Sequence, residues 1–143
     1  MDEADLLFQL DGDADVMKYI TLGIPRTMDE VIEKSMPRIL KSYQDKTDFG
    51  IFAAYLINSE KYIGWFQFEK DKEFEDSIEI GWRLKKQYWG NGYATEVATV
   101  LCELGIKMGK TIVARAMIEN IASIRVMEKA GLKFEKEFWG DYD

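Results

Sequence analysis

The hydrophobic positions change period along the chain. Val16, Met17 and Ile20 fall on one face of a short helix, Ala14 to about Leu22, which Asp13 caps and Gly23-Ile24-Pro25 ends. Thr27-Met28-Asp29-Glu30 has the form of a capping box, in which two side-chain oxygens satisfy the first free N–H groups, and it opens a helix from Met28 to about Tyr43. Pro37 lies inside that run without an N–H to donate, so a kink or two pieces is expected. From Gly50 the pattern becomes that of strands. Gly50 to Ile57 and Tyr62 to Phe68 form a hairpin across the turn Asn58-Ser59-Glu60-Lys61. The polar run Lys70 to Ser77 is a solvated loop, and Ile78 to Leu84 is a third strand.

The clearest element follows Gly92. Val97, Ala98, Leu101, Cys102, Gly105 and Met108 recur at spacings of three and four, and Met108-Gly109-Lys110 stops the helix. Thr111 to Met117 is a β-branched strand. Asn120 caps another helix, which ends at Ala130 with Gly131 just beyond, and Leu132 to Trp139 is a last strand. The order helix, helix, hairpin, strand, helix, strand, helix, strand predicts an α+β domain with strand–helix–strand crossovers in its later half. At 143 residues it is one domain, 1-143, long enough to bury a core.

Composition narrows the chemistry. There is no histidine, which removes Ser-His-Asp and Cys-His catalysis and the commonest metal ligand. The single cysteine, Cys102, excludes internal disulfides and cysteine zinc clusters. It sits on the apolar helix face as inert packing, and a reducing, cytoplasmic location is expected. No metal site is expected. No apolar run approaches a membrane span, and the acidic start MDEADLLFQLDGD is unlike a signal peptide. The formal charge of −7 argues against nucleic acid and is compatible with a cationic substrate, though solubility explains it equally well.

The stretch Gln87-Tyr88-Trp89-Gly90-Asn91-Gly92 joins the third strand to the long helix. The first N–H groups of a helix lack partners and carry the positive end of its dipole, so phosphates bind there when the backbone can come close. Gly90 and Gly92 remove the Cβ atoms that would block that approach. Position 95 is Thr95, not a third glycine, and no Gly-Lys-Ser/Thr is present, so neither common nucleotide motif fits. A tight turn that uses glycine for its φ angle is the alternative.

The pattern Q-x-x-G-x-G at Gln87 to Gly92 follows E-x-G-W-x-L at Glu79 to Leu84. It precedes Y-A-T-E, and N-x-x-S-x-R-V-x-E-K-x-G-L comes later at Asn120 to Leu132. Both motifs in this order resemble the GNAT superfamily of acyl-CoA-dependent N-acyltransferases, and in detail the branch that includes the ribosomal-protein N-terminal acetyltransferases. The resemblance runs from about Leu6 to Phe138. It implies a mixed, mostly antiparallel sheet with flanking helices and a splayed parallel strand pair, with acetyl-CoA as co-substrate. The strand around Trp82, Arg83 and Leu84 would line the pantetheine, with the backbone of Trp82 and Leu84 bonding its amides. Backbone amides of Gln87, Trp89, Gly90, Asn91, Gly92, Tyr93 and Ala94 would hold the pyrophosphate, and Asn120 and Ser123 would lie near the thioester. The acceptor would be a primary amine, on a protein N-terminus or a small molecule. A non-catalytic acyl-CoA-binding module and an enzyme using another acyl-CoA are the alternatives.

Transfer from a thioester asks little of side chains. The amine must lose a proton, the oxyanion must be stabilised, and the thiolate must be protonated. Glu79 is the only carboxylate on its strand and the candidate base. An ordinary salt bridge to Arg83 or Lys85 is the alternative. Met127 stands where many members of the superfamily carry a tyrosine acid. Ser123, one turn earlier on the same face, is the candidate acid, unless it only caps the helix or bonds pantetheine. Relative to the family the first and last strands are expected to be missing, which makes a homodimer through unpaired edges plausible. Trp65, Phe66, Phe68 and Trp82 are core or acceptor-pocket residues. The carboxylates Asp2, Glu3, Asp5, Asp11, Asp13 and Asp15 are a solvated cluster or an attraction for a cation.

Overall fold

The computed structural model describes residues 2–43 and 48–135. Its first helix, α1, is Glu3–Asp11, opened by Asp2, whose carboxylate accepts from the Asp5 N–H at 2.9 Å. This corrects the helix expected from Ala14 to Leu22. That segment is a string of turns, with Met17 N–H on Asp13 O and Thr21 N–H on Met17 O. Val16 and Met17 are nevertheless buried, and Val16 joins Leu10 and Tyr62 in one apolar cluster. The Asp13 side chain accepts from the Asp15 N–H and so caps a turn that never propagates.

The capping box forms as expected. Thr27 and Glu30 exchange side-chain-to-backbone bonds of 3.2 and 3.1 Å. The helix it opens has three parts: α2 (Met28–Glu30), a π-helical turn (Val31–Ser35) and α3 (Met36–Lys41). Pro37 has no N–H for an i→i−4 bond. The wider turn before it, with Met36 N–H reaching Val31 O, absorbs that loss.

The four strands, β1 (Gly50–Tyr55), β2 (Tyr62–Lys70), β3 (Ser77–Leu84) and β4 (Thr111–Val113), lie in that order in one sheet. β1–β2 and β2–β3 are antiparallel, and β3–β4 is parallel. Between β3 and β4 runs α4 (Tyr93–Lys107), and α5 (Ile121–Lys129) follows β4. β4 is shorter than the strand expected to reach Met117, and residues 132–135 are not strand. The rest of the strand expected to Trp139 lies outside the described residues.

Alternation along the strands divides the molecule into layers. Phe66, Phe68, Ile78, Ile80 and Leu84 face α4, where Ala98 and Cys102 meet them, and Val126 of α5 and Ala130 just past its end join the edge. Phe66 and Phe68 are therefore core, and Trp82 packs partly buried against the same layer. Trp65, Gln67, Glu69, Glu79 and Arg83 face the other way, towards α1 and α3. Cys102 is buried, and that burial pushes its thiol up, as suits packing.

Candidate active site

The pairing of β3 with β4 covers only Ser77↔Thr111, Ile78↔Ile112 and Glu79↔Val113. β3 continues to Leu84, so Ile80 to Leu84, about 17 Å of strand, has no partner on that side among the described residues. Lys85 N–H bonds Ile63 O towards β2, whereas Thr111 N–H bonds Asp76 O on the β4 side. The alternation of strand bonding then turns the backbone groups of Ile80, Trp82 and Leu84 to the open side. Arg83 is expected to line the pantetheine with its neighbours. Its backbone faces β2, and its side chain runs beneath the sheet to Asp11 at 2.7 Å, stacked on Trp65 at 5.0 Å. The Leu84 carbonyl accepts from the Trp89 indole N–H at 2.9 Å.

The open edge leads into the glycine corner. A 3₁₀ turn, Lys86–Tyr88, precedes Trp89 and Gly90, and Gly92 is the N-cap of α4. Gly90 and Gly92 have φ of +77° and +80°, which L side chains rarely adopt. A Cβ built on either would meet nothing within 4 Å. The φ requirement and the open space coincide, so the turn explanation and the cradle explanation are both satisfied. The Asn91 side chain braces the loop from within, donating to the carbonyls of Tyr88 and Trp89. The N–H groups of Gly90, Asn91 and Gly92 find no acceptor among the described residues, and Tyr93 and Ala94 start the helix. Gln87 is exposed and borders a groove of about 720 Å³ between α1, the β1–β2 hairpin and the corner, with Gln9, Tyr62 and Tyr88. That groove lies on the β2 side of β3, away from the open edge.

Glu79 occupies the last paired position before the strands part. Its salt-bridge partner is neither Arg83 nor Lys85 but Arg115, just beyond β4, at 3.0 Å. Its other oxygen accepts from Gln67 at 3.2 Å. Arg115 also reaches Asp71 at 2.6 Å and Glu73 at 3.3 Å. The Arg115 bond holds the Asp71 carboxyl down to about 2, with two backbone N–H bonds helping and burial opposing. The same bonds, first Asp71 and then Glu79, push Arg115 up. Asn120 caps α5 by accepting from the Ser123 N–H at 3.2 Å, which leaves the Ser123 hydroxyl without a bond among the described residues. Ser123 belongs to the α4–α5 layer, and Glu79 points to the opposite face. The two candidate catalytic groups thus lie on different sides of the sheet.

The sequence reading missed Arg115, Asp71 and Gln67. It also took Asp11 as part of a solvated cluster. Asp11 is 1% exposed, paired with Arg83 and Arg26 and bonded by the Ser35 hydroxyl. Asp15 pairs with Lys86, and Asp2 is a helix cap, so that cluster is divided among separate tasks. Among the described residues no group of acidic and cysteine side chains is arranged to hold a metal ion, and no helix is long and apolar enough to cross a membrane.

Comparison with known proteins bears on this geometry. Residues 1–133 match the acetyltransferase (GNAT) domain family. The chain is 29% identical, over 97% of its length, to FsC-acetyl coenzyme A-N(2)-transacetylase of Aspergillus fumigatus, and it spans 62% of that protein. It is 30% identical to a crystallographically determined GNAT acetyltransferase of Bacillus anthracis, with a TM-score of 0.75 over 94% of this chain and 76% of that one. The ribosomal L7/L12 α-N-protein acetyltransferase RimL, solved with coenzyme A, shares the fold at 17% identity and a TM-score of 0.68, covering 90% of this chain and 72% of its own. The family match takes in the parting strands, the glycine corner and the helix that Asn120 caps, and this chain therefore belongs to the GNAT family of acetyltransferases.

Proposed function

We propose that the chain is an acetyl-CoA-dependent N-acetyltransferase that delivers the acetyl group to a primary amine by direct attack. The observation that carries this reading is the end of β3–β4 pairing at Glu79↔Val113, which leaves a β3 edge and a corner of amides that are unbonded among the described residues. An extended amide-bearing arm fits such an edge as an added strand, and a pyrophosphate fits the corner. In this reading Trp82 bonds the arm through its backbone, and Leu84 does so through its N–H. The amides from Gln87 through Ala94 hold the pyrophosphate. Glu79 takes the amine proton, directly or through water. Ser123 relays a proton to the leaving thiolate near the start of α5, where the helix dipole already favours negative charge.

Two relatives support an amine acceptor without fixing which one. One is named for an N(2) position and one for a protein α-amino group. The lone buried thiol of Cys102 suits a cytoplasmic setting. The test is acetyl-CoA-dependent thiol release across a panel of small amines, polyamines and peptides, with CoA binding measured in parallel by calorimetry. Release with at least one class of amine is expected. Binding of CoA with no release from any amine would replace the enzyme by a binding module.

A further inference from the structure

Glu79 and Glu69 face each other directly across β2 and β3, a pairing of like charges that costs stability by itself. The structure surrounds the pair instead of separating it. Gln67 Nε2 donates to Glu69 at 3.0 Å and to Glu79 Oε1 at 3.2 Å, using both of its hydrogens. Arg38 of α3 holds Glu69 from one side, at 2.7 and 3.3 Å. Arg115 holds Glu79 Oε2 from the other at 3.0 Å and is itself fixed by Asp71 at 2.6 and 3.2 Å. Gly81 sits opposite Gln67, and a Cβ there would lie 2.5 Å from Gln67 Oε1. Any side chain at position 81 would lift the Gln67 amide away from Glu79. The glycine of E-x-G-W-x-L thus leaves room for Gln67.

We propose that Gln67 and Arg115 are positioning residues that fix the Glu79 carboxylate at the point where β3 and β4 part, with Gly81 supplying the space for Gln67. Each carboxylate oxygen carries one fixed bond, so the side chain has one orientation and its remaining lone pairs have set directions. A glutamate free to change rotamer would present those lone pairs to an amine only part of the time. The proposal rests on Glu79 acting as the base. A purely structural network, tying the β2–β3 loop to the end of β4, is the competing account.

A double-mutant cycle separates the two. Arg115→Gln is expected to lower kcat about tenfold in the otherwise native protein and less than about twofold in a Glu79→Gln background, since residues acting through one group are non-additive. The Kd for CoA, read by calorimetry, should stay unchanged, and Arg115→Lys should recover part of kcat. Gly81→Ala displaces Gln67 without changing charge and is expected to show the same background dependence with a loss of a few-fold, about threefold; it serves if Arg115→Gln does not fold. Equal losses in both backgrounds, or a native kcat in Arg115→Gln and Gly81→Ala, overturn the proposal. A native kcat in Glu79→Gln itself overturns the base assignment instead, and that single variant reveals it before any cycle is read.

Discussion

The two ends of the β3 edge that is unpaired among the described residues are built on opposite terms. At the glycine corner the backbone donors of Gly90, Asn91 and Gly92 have no acceptor among the described residues, and the Asn91 side chain braces the loop from within. At the Glu79 end both carboxylate oxygens are already bonded, and their partners are bonded in turn. The difference fits the roles proposed for the two ends. An anion is held well by unspent N–H groups at a helix start, which need only a fixed backbone and open space. A proton transfer depends on geometry, and a long acidic side chain acquires fixed geometry only from bonds around it.

The largest effect is expected at the Glu79 end. Glu79→Gln should lower turnover with a high-pKa amine by about 10²–10⁴-fold while leaving CoA affinity nearly unchanged. A loss under about threefold at saturating amine would make Glu79 a structural residue and remove the contrast between the two ends. At the corner, Gly92→Val should weaken CoA binding by roughly 30- to 100-fold, as expected when charge-assisted bonds worth about 2–3 kcal/mol are lost. Calorimetry on a variant with a native circular dichroism spectrum checks it. Native affinity there would mean that the glycine serves only its φ of +80°.

A smaller effect concerns pH. The folded Asp71 carboxyl, held by Arg115 at about 2, lies below its ordinary value of 3.8. Its contribution is therefore complete above pH 3.8 and is lost as the pH falls through about 2. The stability gap between the native protein and Asp71→Asn, on the order of 1–2 kcal/mol near neutrality, should close over that interval in urea titrations. A gap that stays constant across it would mean that the guanidinium does not hold this carboxylate. Ser123→Ala is expected to act least, with a turnover loss of about threefold to tenfold that shrinks with a better thiol leaving group. A variant that loses CoA affinity but keeps saturated turnover would move Ser123 to the binding end of the comparison.

Much of the architecture was legible along the chain, because its signals are local. The capping box at Thr27 and Glu30, the hairpin around Asn58, the period of α4 and the Asn120 cap each span a few residues, and each forms as read. The first helix was misplaced because two caps compete in one acidic stretch. Asp2 starts a helix whose Leu7 and Leu10 are buried, whereas Asp13 starts turns that the neighbouring chain path does not let grow. The strand expected through Met117 has the right residue types but loses its partner after Val113, where β3 and β4 diverge. No local pattern reports that divergence.

The sequence by itself determined where a glycine corner joins the third strand to a helix, where α4 begins, and which strand carries a single carboxylate. Those features depend on φ preferences, N–H groups without i−4 partners and side-chain period, all of which act over a few residues. Only the tertiary structure decided what surrounds that carboxylate. Arg115 reaches Glu79 across 36 residues and Asp71 across 44, and Asp11 meets Arg83 across 72. Ion pairs of this kind exist only once burial has brought distant segments together and made an unpaired charge costly, so their partners are chosen by the fold and not by the neighbouring sequence.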